Sequence, residues 1–170
     1  MKFSELTRYF EKLDKTSSRL SLIEILSELF KKTPSSEIDK ISYLIQGRLA
    51  PFFVPLEIGM AEKTVAKAIA QAFGVNAEEV TKEFNRLGDM GLAAGKFAAK
   101  SKGSQVSVEK VHEILTQIAN TSGNGTVEKR RKLLSDLLTK FDPISAKHLV
   151  RIPLGNTRLG IGDPTVLDAL

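Results

Sequence analysis

The sequence has no cysteine and no tryptophan, and only 6% of its 170 residues are aromatic. Without cysteine there is no disulfide framework, no thiolate metal site and no cysteine nucleophile. This usage fits a cytoplasmic, reducing compartment. Apolar runs last only a few residues, so no membrane-spanning segment is expected. The opening residues, Met1-Lys2-Phe3-Ser4-Glu5, lack the apolar stretch of a secretory signal. Most of the nine Phe fall at core spacing, which argues against a stacking platform for single strands. No stretch alternates cleanly with β-branched residues, so essentially no sheet is expected. The two histidines, His112 and His148, stand in no metal-ligand spacing and are expected to be surface or packing residues. Neither a Walker phosphate-binding motif nor a Lys-x-Asp-Gly nucleophile motif occurs, so no catalytic residue and no metal site is expected.

What is present is an ordinary globular composition, with 42% apolar and 26% charged residues. The net charge is +5, and its placement is uneven. Residues 1–85 hold 12 basic and 12 acidic side chains, whereas residues 86–170 hold 13 and 8. The whole positive excess therefore lies in the second half. A one-sided positive field suits a polyanionic partner such as nucleic acid.

The periodicity reads as helix after helix. Ser4 is expected to cap a first helix with Leu6, Phe10 and Leu13 on one face. Ser18 caps a second, carrying Leu22, Leu26 and Leu29. Thr33-Pro34-Ser35 breaks the chain before a third helix with Ile41 and Leu44. A loop with Pro51 and Pro55 follows, then a helix over 61–73 ended by Gly74. Later helices follow Asn76, Ser107, Thr126 (read as an N-cap) and Pro143. Asp163-Pro164 has the N-cap and N1 chemistry of a last helix. The sequence stops two turns after that start with no C-cap residue, which predicts a longer parent chain whose natural N-terminus is kept here.

An internal repeat is visible. Tyr43-Leu44-Ile45-Gln46 matches His148-Leu149-Val150-Arg151 at an offset of 105 residues. The thirteen residues from Glu57 match those from Arg158 at an offset of 101, with four identities that include Gly59/Gly160 and Val65/Val166. The expectation is a single all-α domain over 1–170, with about ten helices. Its two pseudo-two-fold-related repeats cover about 1–75 and 105–170, joined by 76–104.

Three glycine turns lead into helix starts: Leu87-Gly88-Asp89-Met90-Gly91, Gly123-Asn124-Gly125-Thr126 and Leu159-Gly160-Ile161-Gly162-Asp163. Exposed N–H groups at such starts make a phosphate site, because glycine lets a phosphate approach the backbone. After Thr126, Lys129, Arg130, Arg131 and Lys132 crowd the first two helical turns. Cations there oppose the helix dipole, at roughly 0.3–1 kcal/mol each, and a bound phosphate would reverse that sign. Arg151, Arg158 and Gly155-Asn156-Thr157 add basic and polar groups beside the last turn.

Together these segments resemble the N-terminal DNA-binding domain of ATP-dependent DNA ligases, in their archaeal and archaeal-like bacterial branch. The resemblance is carried by Tyr43–Pro51 with Glu57–Ala61, by Gly88–Gly91 with Ala93-Ala94, and by Gly123–Gly125 with Lys129. Ala146–Arg151 and Leu154–Gly162 complete it. The sequence departs from the family pattern at Asn156, where a basic residue is common, and at Thr126, where Ser is common. The resemblance implies a domain that grips nicked double-stranded DNA across the minor groove, without reading sequence. It implies DNA contacts by Arg48, Gly59, Gly88, Asp89, Gly91, Gly123, Asn124, Gly125, Thr126, Lys129, Arg151, Gly155, Asn156, Thr157, Arg158 and Gly160. It also implies adenylation and OB-fold domains in a monomeric, nucleoid-associated parent that uses ATP and Mg²⁺, with no cofactor held by these residues. The alternative expectation is a helical protein-interaction module without DNA binding, docking through Pro51-Phe52-Phe53-Val54-Pro55, although Phe52 and Phe53 are expected to cover the core. A helix-turn-helix regulator is disfavoured, since no helix offers a base-reading face.

Overall fold

The computed structural model describes residues 1–99 and 101–170. Helix α1 (Phe3–Asp14) begins one residue before the expected Ser4 cap. The reason is a long-range contact that local propensity does not contain. Lys2 forms an isolated antiparallel bridge with Ser107. Phe3 N–H donates to Val106 O at 2.9 Å, and Val108 N–H donates to Met1 O at 2.9 Å. The two bonds occupy orphan donors at the starts of α1 and α7 (Val108–Asn120) at once.

Helix α2 (Arg19–Lys32) is capped as expected by Ser18, whose hydroxyl accepts from Ser21 N–H. It is followed by α3 (Ile38–Ile45), a long loop, and α4 (Glu62–Phe73), which ends on left-handed Gly74. Next come α5 (Ala77–Leu87) and α6 (Met90–Phe97). Ser107 caps α7 by accepting from Lys110 N–H. Helices α8 (Thr126–Leu138), α9 (Pro143–Arg151) and α10 (Asp163–Ala169) complete the chain. Among the described residues the regular structure is these ten helices and the one bridge. Among the described residues no helix is long and apolar enough to cross a membrane.

The helices meet in reciprocal pairs. Helix α1 packs on α2 and α9, while α7 packs on α8 and α3. Helix α4 packs on α8, and α10 packs on α2. Helices α1 and α7 touch each other. Exchanging α1–α4 with α7–α10 leaves this set of contacts unchanged. Helices α5 and α6 stand outside the exchange, and α6 lies across α9.

One continuous core runs through both halves. Phe3, Phe10, Leu26 and Ile41 from the first meet Leu115, Leu134, Phe141 and Leu149 from the second, all essentially inaccessible. Phe3 and Phe141 have ring centroids 5.1 Å apart. Each such side chain contributes about 1.5–3 kcal/mol by leaving water. The α6–α9 crossing is close because α6 carries Gly91. A Cβ there would stand 2.6 Å from Lys147 O and 2.7 Å from Arg151 Nε.

Candidate nucleic-acid interface

Helices α4, α5, α6, α8 and α10 start from glycine-bearing turns, and four of these starts, those of α4, α6, α8 and α10, are tied to one another. Gly59 precedes α4, Gly88 precedes α6, Gly123 and Gly125 precede α8, and Gly160 precedes α10. Gly125 is the N-cap of α8 in the left-handed region, φ 73°, a conformation that costs an L-residue roughly 1–2 kcal/mol. Around Gly59, Gly88, Gly123, Gly125, Gly155 and Gly160 the space that a Cβ would occupy is open for 4 Å. These six are also solvent-exposed. A bulky anion can therefore reach the backbone there.

Hydrogen bonds tie these turns into one contiguous band. Met60 N–H donates to Pro153 O at 3.0 Å, joining the entry to α4 with the turn after α9. Thr157 Oγ1 donates to Ile45 O at 3.1 Å, and Gly47 packs beside Thr157 and Gly155. Arg158 Nη2 donates to Gly88 O at 2.7 Å, bringing the 155–158 turn to the start of α6. Arg48 Nη2 stands 3.5 Å from Asp163 Oδ1 at the start of α10. Arg130, on the first turns of α8, donates to Ile118 O at 3.0 Å and also to Ile58 O, one residue before Gly59. All four helix starts are thus linked directly or through one intermediate turn.

The start of α8 differs from the sequence reading in two respects. Thr126 is the first helical residue rather than the cap, and its hydroxyl donates back to Gly123 O. Gly125, by turning left-handed, takes the capping position. Of the four cations expected to crowd the helix start, Arg130 is turned inward onto the two carbonyls. Lys129 and Lys132 are exposed and Arg131 is half-buried. Among the described residues no carboxylate forms an ion pair with Lys129, Arg131 or Lys132, while the salt bridges elsewhere engage many of the chain's other cations. The last helix also begins one residue early: Gly162 is the N-cap of α10 and Asp163 its first residue.

Three residues of the expected contact set lie inside. Asp89 is 3% exposed and Arg151 4%, and Gly91 is buried against Lys147 and Arg151. The Asp89 and Arg151 side chains face the interior because Asp89 caps α6, accepting from Gly91 N–H at 2.9 Å, and pairs with Arg151 Nη2. Burial alone would raise the Asp89 carboxyl. The Arg151 hydrogen bond and charge outweigh burial and hold the group below its ordinary value. Arg151 also reaches Asp14 at 3.3 Å, and Asp14 pairs with Lys147 at 3.2 Å. Lys147 and His148 both donate to Glu11, at 2.6 and 2.8 Å. Burial pushes His148 down to about 4, against the opposing pull of Glu11, so the imidazole is neutral at pH 7. Burial would raise Glu11, but the bonds from Lys147 and His148 hold it down to about 2.

This chain of buried charges ends at the surface. Arg158 Nε lies 3.7 Å from Asp89 Oδ1. Arg158 is the one non-glycine residue with positive φ, 62°, among the described residues. Asn156 Oδ1 accepts from its backbone N–H at 3.0 Å and holds the turn. Asp89 and Arg151 therefore set where Arg158 stands, while Arg158 itself remains accessible. Sequence reasoning missed Glu11, Asp14 and Lys147 in this network, since only the packing of α1 on α9 brings them together.

His148 packs edge-on against Phe10, with centroids 5.6 Å apart, in keeping with a packing role. His112 Nε2 donates to Leu49 O at 2.8 Å and fastens the start of the 46–61 loop to α7. At the tip of that loop Phe52 and Phe53 are 76% and 74% exposed, so they do not cover the core as expected.

An all-helical domain with glycine-led helix starts tied together, beside cations that no carboxylate pairs among the described residues, is the class of module that this fold defines. A family described as DNA ligase N terminus matches residues 2–170, and the chain belongs to that family. It is 41% identical over 170 residues to a probable DNA ligase of Dictyoglomus thermophilum, covering all of this chain and 29% of that protein. It is 39% identical over 175 residues to a DNA ligase of Nitrosopumilus maritimus, covering all of this chain and 30% of that protein. With a DNA ligase of Acidianus ambivalens the identity is 38% over 184 residues, covering all of this chain and 31% of that protein. The chain thus spans less than a third of the length of these curated relatives.

Proposed function

We propose that this domain binds double-stranded, nicked DNA without regard to sequence, through the sugar-phosphate backbone along the minor groove. It does so as the DNA-gripping part of an ATP- and Mg²⁺-dependent ligase that seals nicks in replication, repair and recombination. Adenylation and OB-fold domains of the same longer protein are its partners, and it works as a monomer on nucleoid DNA. The observation that carries this reading is the band of open glycine turns and helix starts beside Lys129, Arg131 and Lys132. Backbone amides at helix N-termini are donors for phosphate oxygens, and phosphate contacts position a protein without specifying bases. The accessible residues of the expected set, Arg48, Gly59, Gly88, Gly123, Asn124, Gly125, Thr126, Lys129, Gly155, Asn156, Thr157, Arg158 and Gly160, make those contacts. Asp89, Gly91 and Arg151 act from behind them.

The reciprocal helix contacts and the paired bonds at Phe3 and Val108 support a second part of the reading. The halves 1–75 and 105–170 are related by a pseudo-two-fold axis, with 76–104 joining them. Such an arrangement presents the turns around Gly59 and Gly160 as equivalents, one for each side of a nick.

Fluorescence anisotropy with labelled duplexes of unrelated sequence, nicked and intact, at two salt concentrations tests the proposal. The expected result is a Kd in the non-specific range, about 10⁻⁴–10⁻⁶ M at physiological salt, that weakens steeply with salt and is indifferent to sequence. Binding that ignores salt, or no binding at low salt, overturns it.

A further inference from the structure

The loop from Gln46 to Ala61 carries a feature that phosphate binding does not use. Phe52 and Phe53 project from its tip with their rings edge to face, centroids 5.6 Å apart. Two large aromatic side chains left in water this way cost the folded chain burial energy, so their exposure calls for a partner. The tip is braced. Val54 N–H donates to Pro51 O at 2.9 Å, and Leu56 N–H donates to Val54 O at 2.8 Å. Pro51 and Pro55 fix two of the backbone torsions. At its base, His112 holds Leu49, and Met60 is bonded to Pro153. The rings are therefore presented on a stiff turn, which lowers the ordering cost of using them.

Their neighbours point to the occupant. Phe52 lines a cleft of about 440 Å³ together with Arg48, Gly59 and Gly155, all of which belong to the proposed phosphate-binding band. The same cleft is lined by one guanidinium, Arg48, and one carboxylate, Glu57, so the loop carries no net charge, and its tip from Pro51 to Pro55 holds no charged residue. An apolar, uncharged tip continuous with a phosphate-binding band is placed to meet the duplex that lies along that band. A minor groove about 6 Å wide admits the edge of a phenyl ring. Apolar wedges in minor-groove proteins part a base step and kink the duplex by about 20–90°.

We propose that the Phe52–Phe53 tip is an apolar wedge that enters the minor groove of bound duplex and partly unstacks one base step. The inference rests on the duplex-binding reading above and adds to it a deformation of the DNA. A nick, where one strand is already interrupted, lowers the cost of that deformation, so the wedge favours nicked over intact duplex.

The test uses the full chain and duplexes with 2-aminopurine placed at successive positions around a nick, whose emission rises on unstacking. Wild-type protein is expected to raise emission at one or two adjacent positions. The variant F52A/F53A is expected to abolish that rise and weaken nicked-duplex binding about tenfold, the lower range of aromatic–base stacking. Its salt dependence should be unchanged, because no phosphate contact is lost. F52L/F53L, which keeps apolar bulk, is expected to retain part of the rise. If F52A/F53A binds and unstacks like wild type, the wedge is wrong even though duplex binding stands. The wedge is equally overturned if the tip instead makes a concentration-dependent dimer in sedimentation that F52A/F53A removes. If K129E/R158E leaves wild-type binding intact, the underlying phosphate-binding assignment fails, a result independent of the Phe variants.

Discussion

Arg130 donates to the backbone carbonyls of Ile118 and Ile58 through one guanidinium, and so ties the first turns of α8 to the loop that leads into α4. Ile58 is buried and its carbonyl has no ladder partner among the backbone bonds, so the arginine supplies the bond that the loop needs. Arg130→Met removes both bonds while keeping the aliphatic stem. We expect a loss of about 1–3 kcal/mol in urea denaturation. Duplex affinity should fall as well, because the Gly59 turn is no longer held beside the Gly123–Gly125 turn.

Asp89 and Arg151 form a buried ion pair from which the position of Arg158 follows. Arg151→Leu leaves Asp89 without its principal partner and takes from Asp14 one of its two cations, Lys147 remaining. The expected cost is about 3–5 kcal/mol, the usual result of stripping one charge from a buried pair. It is read as a fall in Tm. Arg158→Ala, on the accessible end of the same network, should cost less than about 1 kcal/mol and yet weaken duplex binding. Similar stability losses for the two variants would contradict the division between a buried support and an accessible contact.

Gly91 marks the closest approach of α6 to α9. Gly91→Ala drives a methyl into Lys147 O, which is backbone and cannot swing aside. We expect a destabilisation of about 1–3 kcal/mol by overpacking. Gly95→Ala, whose nearest atom would be Pro143 O at 3.2 Å, should cost less. Thermal unfolding of the two variants side by side checks the order.

His148 gives the domain a defined pH response. Its folded value of about 4 lies below the ordinary value of 6.5. Between those values the unfolded chain takes up a proton that the folded chain refuses. Stability contributed by the neutral imidazole is therefore full above pH 6.5 and is lost as pH falls toward 4, on the order of 3 kcal/mol in all. Glu11, held at about 2, contributes stability that is present above its ordinary value of 4.5 and is lost as pH falls through 2. Denaturant melts of wild type and His148→Gln from pH 7 to 4 should show the slope between 6.5 and 4 largely removed in the variant.

The helices were legible in the sequence where local chemistry decides them. Ser18 caps as read, a helix follows Ser107, Gly74 ends α4, and the apolar spacing of Leu22, Leu26 and Leu29 marks the buried face of α2. The reading shifted where distant contacts decide. Ser4 lost its capping role to the bridge between Lys2 and Ser107, and Thr126 lost its role to a left-handed Gly125. The candidate site divides the same way. The exposed glycine turns could be found from composition. The inward turn of Arg130 and the burial of Asp89, Gly91 and Arg151 could not, since each depends on a partner from another helix. Phe52 and Phe53 misled because apolar residues usually read as core, whereas this pair stands exposed at the tip of the 46–61 loop.

On the proposed function, the turns around Lys129 and Arg158 grip phosphates of a duplex. The decisive measurement of that grip is the salt dependence of duplex affinity for wild type and for K129E/R158E. The double reversal is expected to weaken binding about tenfold or more for every sequence alike, and to lower the slope of log K against log salt by about 2. Wild-type affinity and slope in the double variant at low salt would contradict it.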